Sequence, residues 1–245
     1  MSKKNRANDR AARAAAALAE QQRQERRRRN LMVGGVIAGI VVIVLAGWLL
    51  SRSLDTTKDV DAPAAGSEFG LTIGPGDAPN KIVIYEDFLC PYCGELERTT
   101  RDDLARLAGD GEVQVEYRPF NLLGGDDDTS YSVRASGAFS IVLEESGPEV
   151  AKEFHDLLFE NQPSERGPFP ESSELADLAV EAGADDAAVR AAIEGDEGSD
   201  WVDRATSAAT EAGVNSTPTV LLNGEVFQEG RTAEDLGSAL VERVS

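Results

Sequence analysis

Cysteine is nearly absent from this chain of 245 residues: there are two, Cys90 and Cys93, with only Pro91 and Tyr92 between them. Histidine is rarer still, His155 being the single one. A tetrahedral zinc site takes about four ligands, and neither a second cysteine pair nor a histidine pair exists to complete one. A disulfide closing so short a loop removes little entropy from the unfolded chain, which argues against a stabilising staple. Aromatic residues make up 6% of a chain that is 41% hydrophobic, as suits one modest globular core with extensions. Asp126 to Asp128 lack the ligand spacing of a calcium loop, and there is no internal repeat. Basic side chains are scarce after the first thirty residues. Residues 1–30 carry ten Lys/Arg against three acidic residues, whereas residues 31–245 carry 14 against 41. The two ends are thus suited to different environments.

Between them lies LMVGGVIAGIVVIVLAGWLL, Leu31 to Leu50, with no charged residue. At ~1.5 Å per residue it matches the ~30 Å hydrocarbon core of a bilayer and predicts a transmembrane helix. Arg26 to Arg29 precede it directly, so the positive-inside bias puts residues 1–30 in the cytoplasm as a basic tail and residues 51–245 outside the cell membrane. The run is too long for a cleaved signal peptide, so a retained signal-anchor is expected. The arginines read as an orientation signal, not a nucleic-acid site. Residues 51–70, rich in Asp, Thr, Ala, Pro and Gly, read as a flexible linker, and residues 71–245 as the folded domain.

In that domain KIVIYE, Lys81 to Glu86, is a short β-branched strand, and ELERTTRDDLARLA after it has helical spacing at Leu96, Leu104 and Leu107. EVQVEYRP, Glu112 to Pro119, alternates as a second strand, parallel to the first across the helix. Helical patterns then run at Tyr131–Leu143, Glu149–Glu160, Ser173–Ala182, Asp185–Glu194 and Asp200–Ala212, an insertion centred on residues 129–200. Thr219–Leu222, Asn223-Gly224 and Glu225–Phe227 predict a hairpin, and Thr232–Val244 a last helix. The fold class is α/β, a sheet interrupted by a helical subdomain.

The cysteine pair therefore falls at a strand-to-helix turn, where free amides and the positive end of the helix favour a thiolate. Cys90 is expected to be the exposed nucleophile and Cys93, nearly a turn further on, the buried resolving thiol. Phe88 is expected to pack and Tyr92 to be exposed. Glu86 and Asp87, on opposite faces by strand alternation, are read either as solvent-facing or capping carboxylates or as a proton relay, and His155 as structural.

YEDFLCPYCGELER, Tyr85 to Arg98, resembles the active-site segment of the DsbA-like thiol:disulfide oxidoreductases of the thioredoxin superfamily, and FHDLLFENQP and GVNSTPTVLLNG support the likeness. The resemblance implies a thioredoxin-like fold with an inserted helical subdomain and catalytic Cys90 and Cys93. It implies Pro91 and Tyr92 as the dipeptide that tunes the redox potential, and Thr217 and Pro218 as a cis-proline element that binds substrate. Ile84 departs from the wider superfamily, which often has a buried acid there. The family's partners would be cysteine-containing secreted or cell-envelope proteins and a quinone-linked membrane oxidase of the DsbB or vitamin K epoxide reductase type, with no bound cofactor. A reductase or isomerase of the same fold, or a tethered holdase-like binding module with an inert disulfide, are the alternatives.

Overall fold

The computed structural model describes Val60 and residues 66–245. The basic tail, the apolar run Leu31–Leu50 and most of the linker lie outside the described residues. Among the described residues, no helix is long and apolar enough to cross a membrane.

Five strands, β1 (Leu71–Ile73), β2 (Asn80–Glu86), β3 (Val113–Pro119), β4 (Thr219–Leu222) and β5 (Glu225–Val226), form one sheet in the order β1-β3-β2-β4-β5. The central strand β2 runs parallel to β3, the crossover being helix α1 (Pro91–Gly109). It runs antiparallel to β4, with Tyr85 opposite Thr219 and Ile82 opposite Leu222. Asn223 and Gly224 both have positive φ, 54° and 87°, as a tight hairpin turn requires, and they pair Leu222 with Glu225.

The period of two in β2 sorts its side chains between two apolar clusters. Ile82 and Ile84 join the main core, with Leu96, Leu104 and Tyr117, while Val83 and Tyr85 join a second cluster with Phe120, Val214 and Leu221. Both faces of the strand are therefore covered, which explains its unbroken apolar run. Strand β1, not foreseen in the sequence, pairs antiparallel with β3 at the sheet edge. The fold also reaches back before Leu71: the Gly66 and Ser67 amides donate to the carboxylate of Glu116 at 2.6 and 2.8 Å, and Arg118 Nε donates to it at 2.8 Å. Three charge-assisted hydrogen bonds are what let Glu116 sit fully buried.

The helical subdomain comprises α2 (Tyr131–Glu160), α3 (Ser172–Glu181), α4 (Asp186–Glu194) and α5 (Ser199–Glu211). The two helices expected at Tyr131–Leu143 and Glu149–Glu160 meet end to end in α2 across a kink. Gly147, at φ 83°, breaks the helical path just before Pro148. Asp185 caps α4 by accepting from the Ala187 and Ala188 amides. Helix α6 (Ala233–Val244), capped by Thr232, packs on α1. A Cβ on Gly237 of α6 would lie 2.9 Å from the methyls of both Thr99 and Thr100, so only glycine lets the two helices come this close.

Candidate active site

Where β2 ends, one buried side chain organises the turn. The Asp87 carboxylate accepts from the Leu89, Leu122 and Leu123 amides at 2.8–2.9 Å and from the Ser132 hydroxyl at 2.7 Å. The β2–α1 turn, the loop after β3 and the start of α2 are thereby held together. Cys90 then caps α1 with extended backbone, φ −72° and ψ 117°. Pro91 takes the first helical position, where its missing N–H costs nothing and its ring presets φ. The Cys93 and Gly94 amides close the first turn on the Cys90 carbonyl at 3.1 and 3.2 Å.

Both cysteines are free thiols. Cys93 is 2% exposed, as expected, but Cys90 is only 4% exposed, which corrects the expectation of an open nucleophile. The covering comes from the loop before β4, whose Thr217 carbonyl lies 3.5 Å from Cys90 Sγ. Pro91 and Tyr92 between the cysteines meet solvent, Tyr92 at 63%, while Phe88 is fully buried. The Thr217-Pro218 bond is cis. Tyr92, Thr217, Pro218, Gln228, Arg231 and Leu236 line a cleft of about 410 Å³.

The two thiols are electrostatically unlike. The Cys93 thiol hydrogen-bonds to Cys90 and brings it down to about 6; burial opposes this, and Thr217 and the Tyr92 and Cys93 amides assist it. In the thiol form Cys90 donates to the Thr217 carbonyl. The Thr217 hydroxyl is buried without a hydrogen-bond partner and is free to donate once the thiolate forms. Burial pushes Cys93 well above the ordinary thiol value, with Cys90 and then Glu86 adding to it. Cys90 is thus the thiol that ionises near neutrality and Cys93 the one that keeps its proton.

Behind the pair lies a buried ionic cluster that the sequence did not reveal. Glu86 and Asp87 are 2% and 0% exposed, so neither faces solvent; Asp87 does cap loop amides, whereas Glu86 Oε1 lies 2.7 Å from His155 Nε2. His155 Nδ1 meets Asp156 Oδ1 at 3.0 Å and lies 3.8 Å from Glu97 Oε1. Glu97 falls one helical turn after Cys93, on the same face of α1. Lys152 binds Asp156 and stands 3.6 Å from Glu97. Burial disfavours the imidazolium, but Glu86 and Glu97 outweigh it and push His155 up to about 9. Burial raises Glu97 to about 7 in spite of His155 and Lys152. Both partners of this attractive pair move upward, Glu97 because its burial outweighs its cations and His155 because the carboxylates of Glu86, Glu97 and Asp156 surround it. Glu97, whose Oε1 has no hydrogen-bond partner but has Arg101 Nε at 3.7 Å, is the carboxylate of the cluster that takes up a proton near neutrality. His155, Glu97 and Asp156 also have the mutual spacing of a metal site, within 4.8 Å, but the Lys152 ammonium already serves as the cation there.

Gln162, just beyond α2, is a further residue at the site. Its side-chain amide donates to the carbonyls of Phe88 and Cys90, both at 2.9 Å. The sequence signal for it was the stretch FHDLLFENQP, legible as likeness but not as contact.

The geometry has counterparts among known proteins. A family model described as thioredoxin matches residues 67–242. Reduced DsbA from Mycobacterium tuberculosis is similar in structure, with TM-score 0.61 and 28% identity over 72% of this chain and 90% of that one. MdbA, a thiol-disulfide oxidoreductase from Corynebacterium diphtheriae, has TM-score 0.60 and 26% identity, covering 70% of this chain and 85% of that one. In sequence, the serine/threonine-protein kinase PknE of Mycobacterium tuberculosis is 30% identical over 155 residues, 61% of this chain. The chain spans only 27% of that curated relative's length, so it matches a part of it. With a Cys-Pro-Tyr-Cys pair capping the helix after the central strand, a cis-proline loop over it and a helical insertion in the sheet, the chain belongs to the thioredoxin family, among its DsbA-like thiol:disulfide oxidoreductases.

Proposed function

We propose that this chain is a membrane-anchored extracytoplasmic oxidoreductase that forms disulfides in secreted and cell-envelope proteins. The observation that carries the reading is the asymmetry of the pair, a Cys90 lowered to about 6 beside a buried Cys93 raised well above the ordinary thiol. A thiolate stabilised in the reduced enzyme makes its disulfide the more oxidising partner in exchange. In the oxidising direction a substrate thiolate attacks Cys90 Sγ of the Cys90–Cys93 disulfide. A substrate–Cys90 disulfide forms, the bond to Cys93 breaks, and Cys93 takes up a proton. A second substrate thiolate then attacks the substrate sulfur, and Cys90 leaves as thiolate. The substrate has lost two electrons and the dithiol has gained them. A quinone-linked membrane oxidase of the DsbB or vitamin K epoxide reductase type is the proposed acceptor. The cleft lined by Tyr92, Thr217 and Pro218 suits an extended substrate peptide, and the Thr217 carbonyl connects it to Cys90 Sγ at 3.5 Å.

Equilibration with glutathione tests the direction. The potential is expected near about −200 mV, more oxidising than the ~−270 mV of thioredoxin. A value at or below thioredoxin's would instead make the chain a reductase. The anchor rests on the uncharged run Leu31–Leu50 and the arginines before it. A periplasm-dependent phosphatase reporter fused after Ser245 should be active, and an inactive reporter with a stable fusion would reverse the orientation.

A further inference from the structure

Gln162 stands where the helical subdomain meets the dithiol turn. Helix α2 stops at Glu160, its end closed by the Asn161 amide and side chain on the Leu157 carbonyl, and Pro163 prevents its continuation. The Gln162 side chain turns back to the active site, and one NH₂ group spans two carbonyls of the β2–α1 turn, those of Phe88 and Cys90. The Cys90 carbonyl is the capping carbonyl of α1, already holding the Cys93 and Gly94 amides. A third donor on this atom fixes the peptide that carries the nucleophile.

Gly94 gives an independent sign that this contact is built in. Glycine inside a helix costs ~1 kcal/mol relative to alanine, and Gly94 has ordinary helical backbone in the first turn of α1, so conformation does not call for it. Space does: a Cβ there would lie 2.4 Å from Gln162 Oε1 and 3.1 Å from its Cδ. The residue after Cys93 lacks a side chain where the glutamine amide passes.

We propose that Gln162 is a positioning residue for the dithiol, its amide clamping the Phe88 and Cys90 carbonyls so that the helical subdomain holds Cys90 in its reactive place at the start of α1. The inference rests on the oxidoreductase reading. The partial positive charge of the amide lies one peptide group from Cys90, and the two hydrogen bonds keep the helix-end amides aimed at its sulfur. Removing the clamp loosens the turn and weakens the thiolate without touching either cysteine.

The test is iodoacetamide alkylation of the reduced full-length protein across pH, with redox equilibration against glutathione. Gln162→Met keeps the volume and loses the donors. Gly94→Ala keeps the glutamine and displaces it. Both are expected to move the alkylation midpoint up by at least half a pH unit, which is a shift of about threefold in the glutathione equilibrium toward the disulfide. The plateau rate at high pH should rise by no more than about twofold, because a thiolate of higher pKa is the stronger nucleophile. Profiles of both variants that superimpose on the wild type would overturn the proposal. If Gln162→Met does not fold, Gly94→Ala decides alone: its methyl meets Gln162 first, the other neighbour being the mobile end of Arg98 at 3.1 Å, and alanine otherwise favours the helix. A wild-type protein that does not exchange with glutathione would refute the oxidoreductase reading instead, whatever the variants do.

Discussion

Replacing Cys93 by serine is expected to turn the protein into a trap: mixed disulfides between Cys90 and client proteins accumulate, visible as reducible high-mass bands. Replacing Cys90 by serine is expected to give none and to cut exchange by roughly three orders of magnitude or more, as loss of a nucleophile does. The difference follows from the environments. Cys90 has the Cys93 thiol, the Thr217 hydroxyl and the helix amides to stabilise its anion, whereas Cys93 is fully buried beside the Glu86 charge. Once Cys90 is bound to a client, only Cys93 lies close enough to release it without a second client thiol. Alkylation of the reduced enzyme should show one inflection near pH 6, due to Cys90. Equal reactivity of the two thiols, or an inflection in the ordinary range above pH 8, would remove the assignment of roles.

His155→Leu is expected to lower stability by about 3–5 kcal/mol, because Glu86 and Glu97 would lose the buried cation they face. In a domain of this size that corresponds to a melting point lower by roughly 10 °C. The wild-type protein should show the same cluster in its pH dependence. Glu97 binds its proton more tightly folded than unfolded, so its contribution is complete below pH 4.5 and is lost as pH rises through about 7. His155 behaves alike: its contribution is complete below 6.5 and lost as pH rises through about 9. Asp156 is held low by His155 and Lys152 against the effect of burial, and its contribution disappears only in strong acid. Stability should therefore be greatest in weak acid and fall toward pH 9. Glu97→Gln should remove the lower window and narrow the upper one, since His155 then has only Glu86 and Asp156 to raise it. Urea unfolding at pH 5, 7 and 9 gives the result, and a flat profile in the wild type would contradict a charged His155.

Much of this architecture was legible because it is written in local pattern. Ile82 to Tyr85 announce a strand, Asn223-Gly224 a hairpin, and the position of Cys90-Pro91 between strand and helix announces a helix-capping thiol. What escaped was depth. Alternation assigns Glu86 and Asp87 to faces of β2 but cannot say that both faces are covered, since the cover comes from Phe120, Val214 and α2, far away in sequence. Cys90 was expected to be open for the same reason: the Thr217 loop that shields it lies 127 residues further on. The role of His155 was half visible. Its ring packs among the rings of Phe88, Tyr117, Phe139 and Phe159, but it is also a charged partner, and that required knowing that Glu86 would face it across 69 residues of chain.

The pairing of β2 with β4 has a consequence for how such a chain comes into being. As the chain emerges from the ribosome, residues 66–119 hold all of β1, β3, β2 and α1. The central strand nevertheless keeps one bare edge until Thr219–Leu222 arrives, after the whole helical subdomain. Until then a row of unpaired N–H and C=O groups on the central strand stands open to any passing extended segment. The same late-arriving stretch brings Thr217 over Cys90. The step that seals the sheet against wrong partners is thus also the step that completes the thiol site, and a nascent copy acquires its protection and its chemistry together.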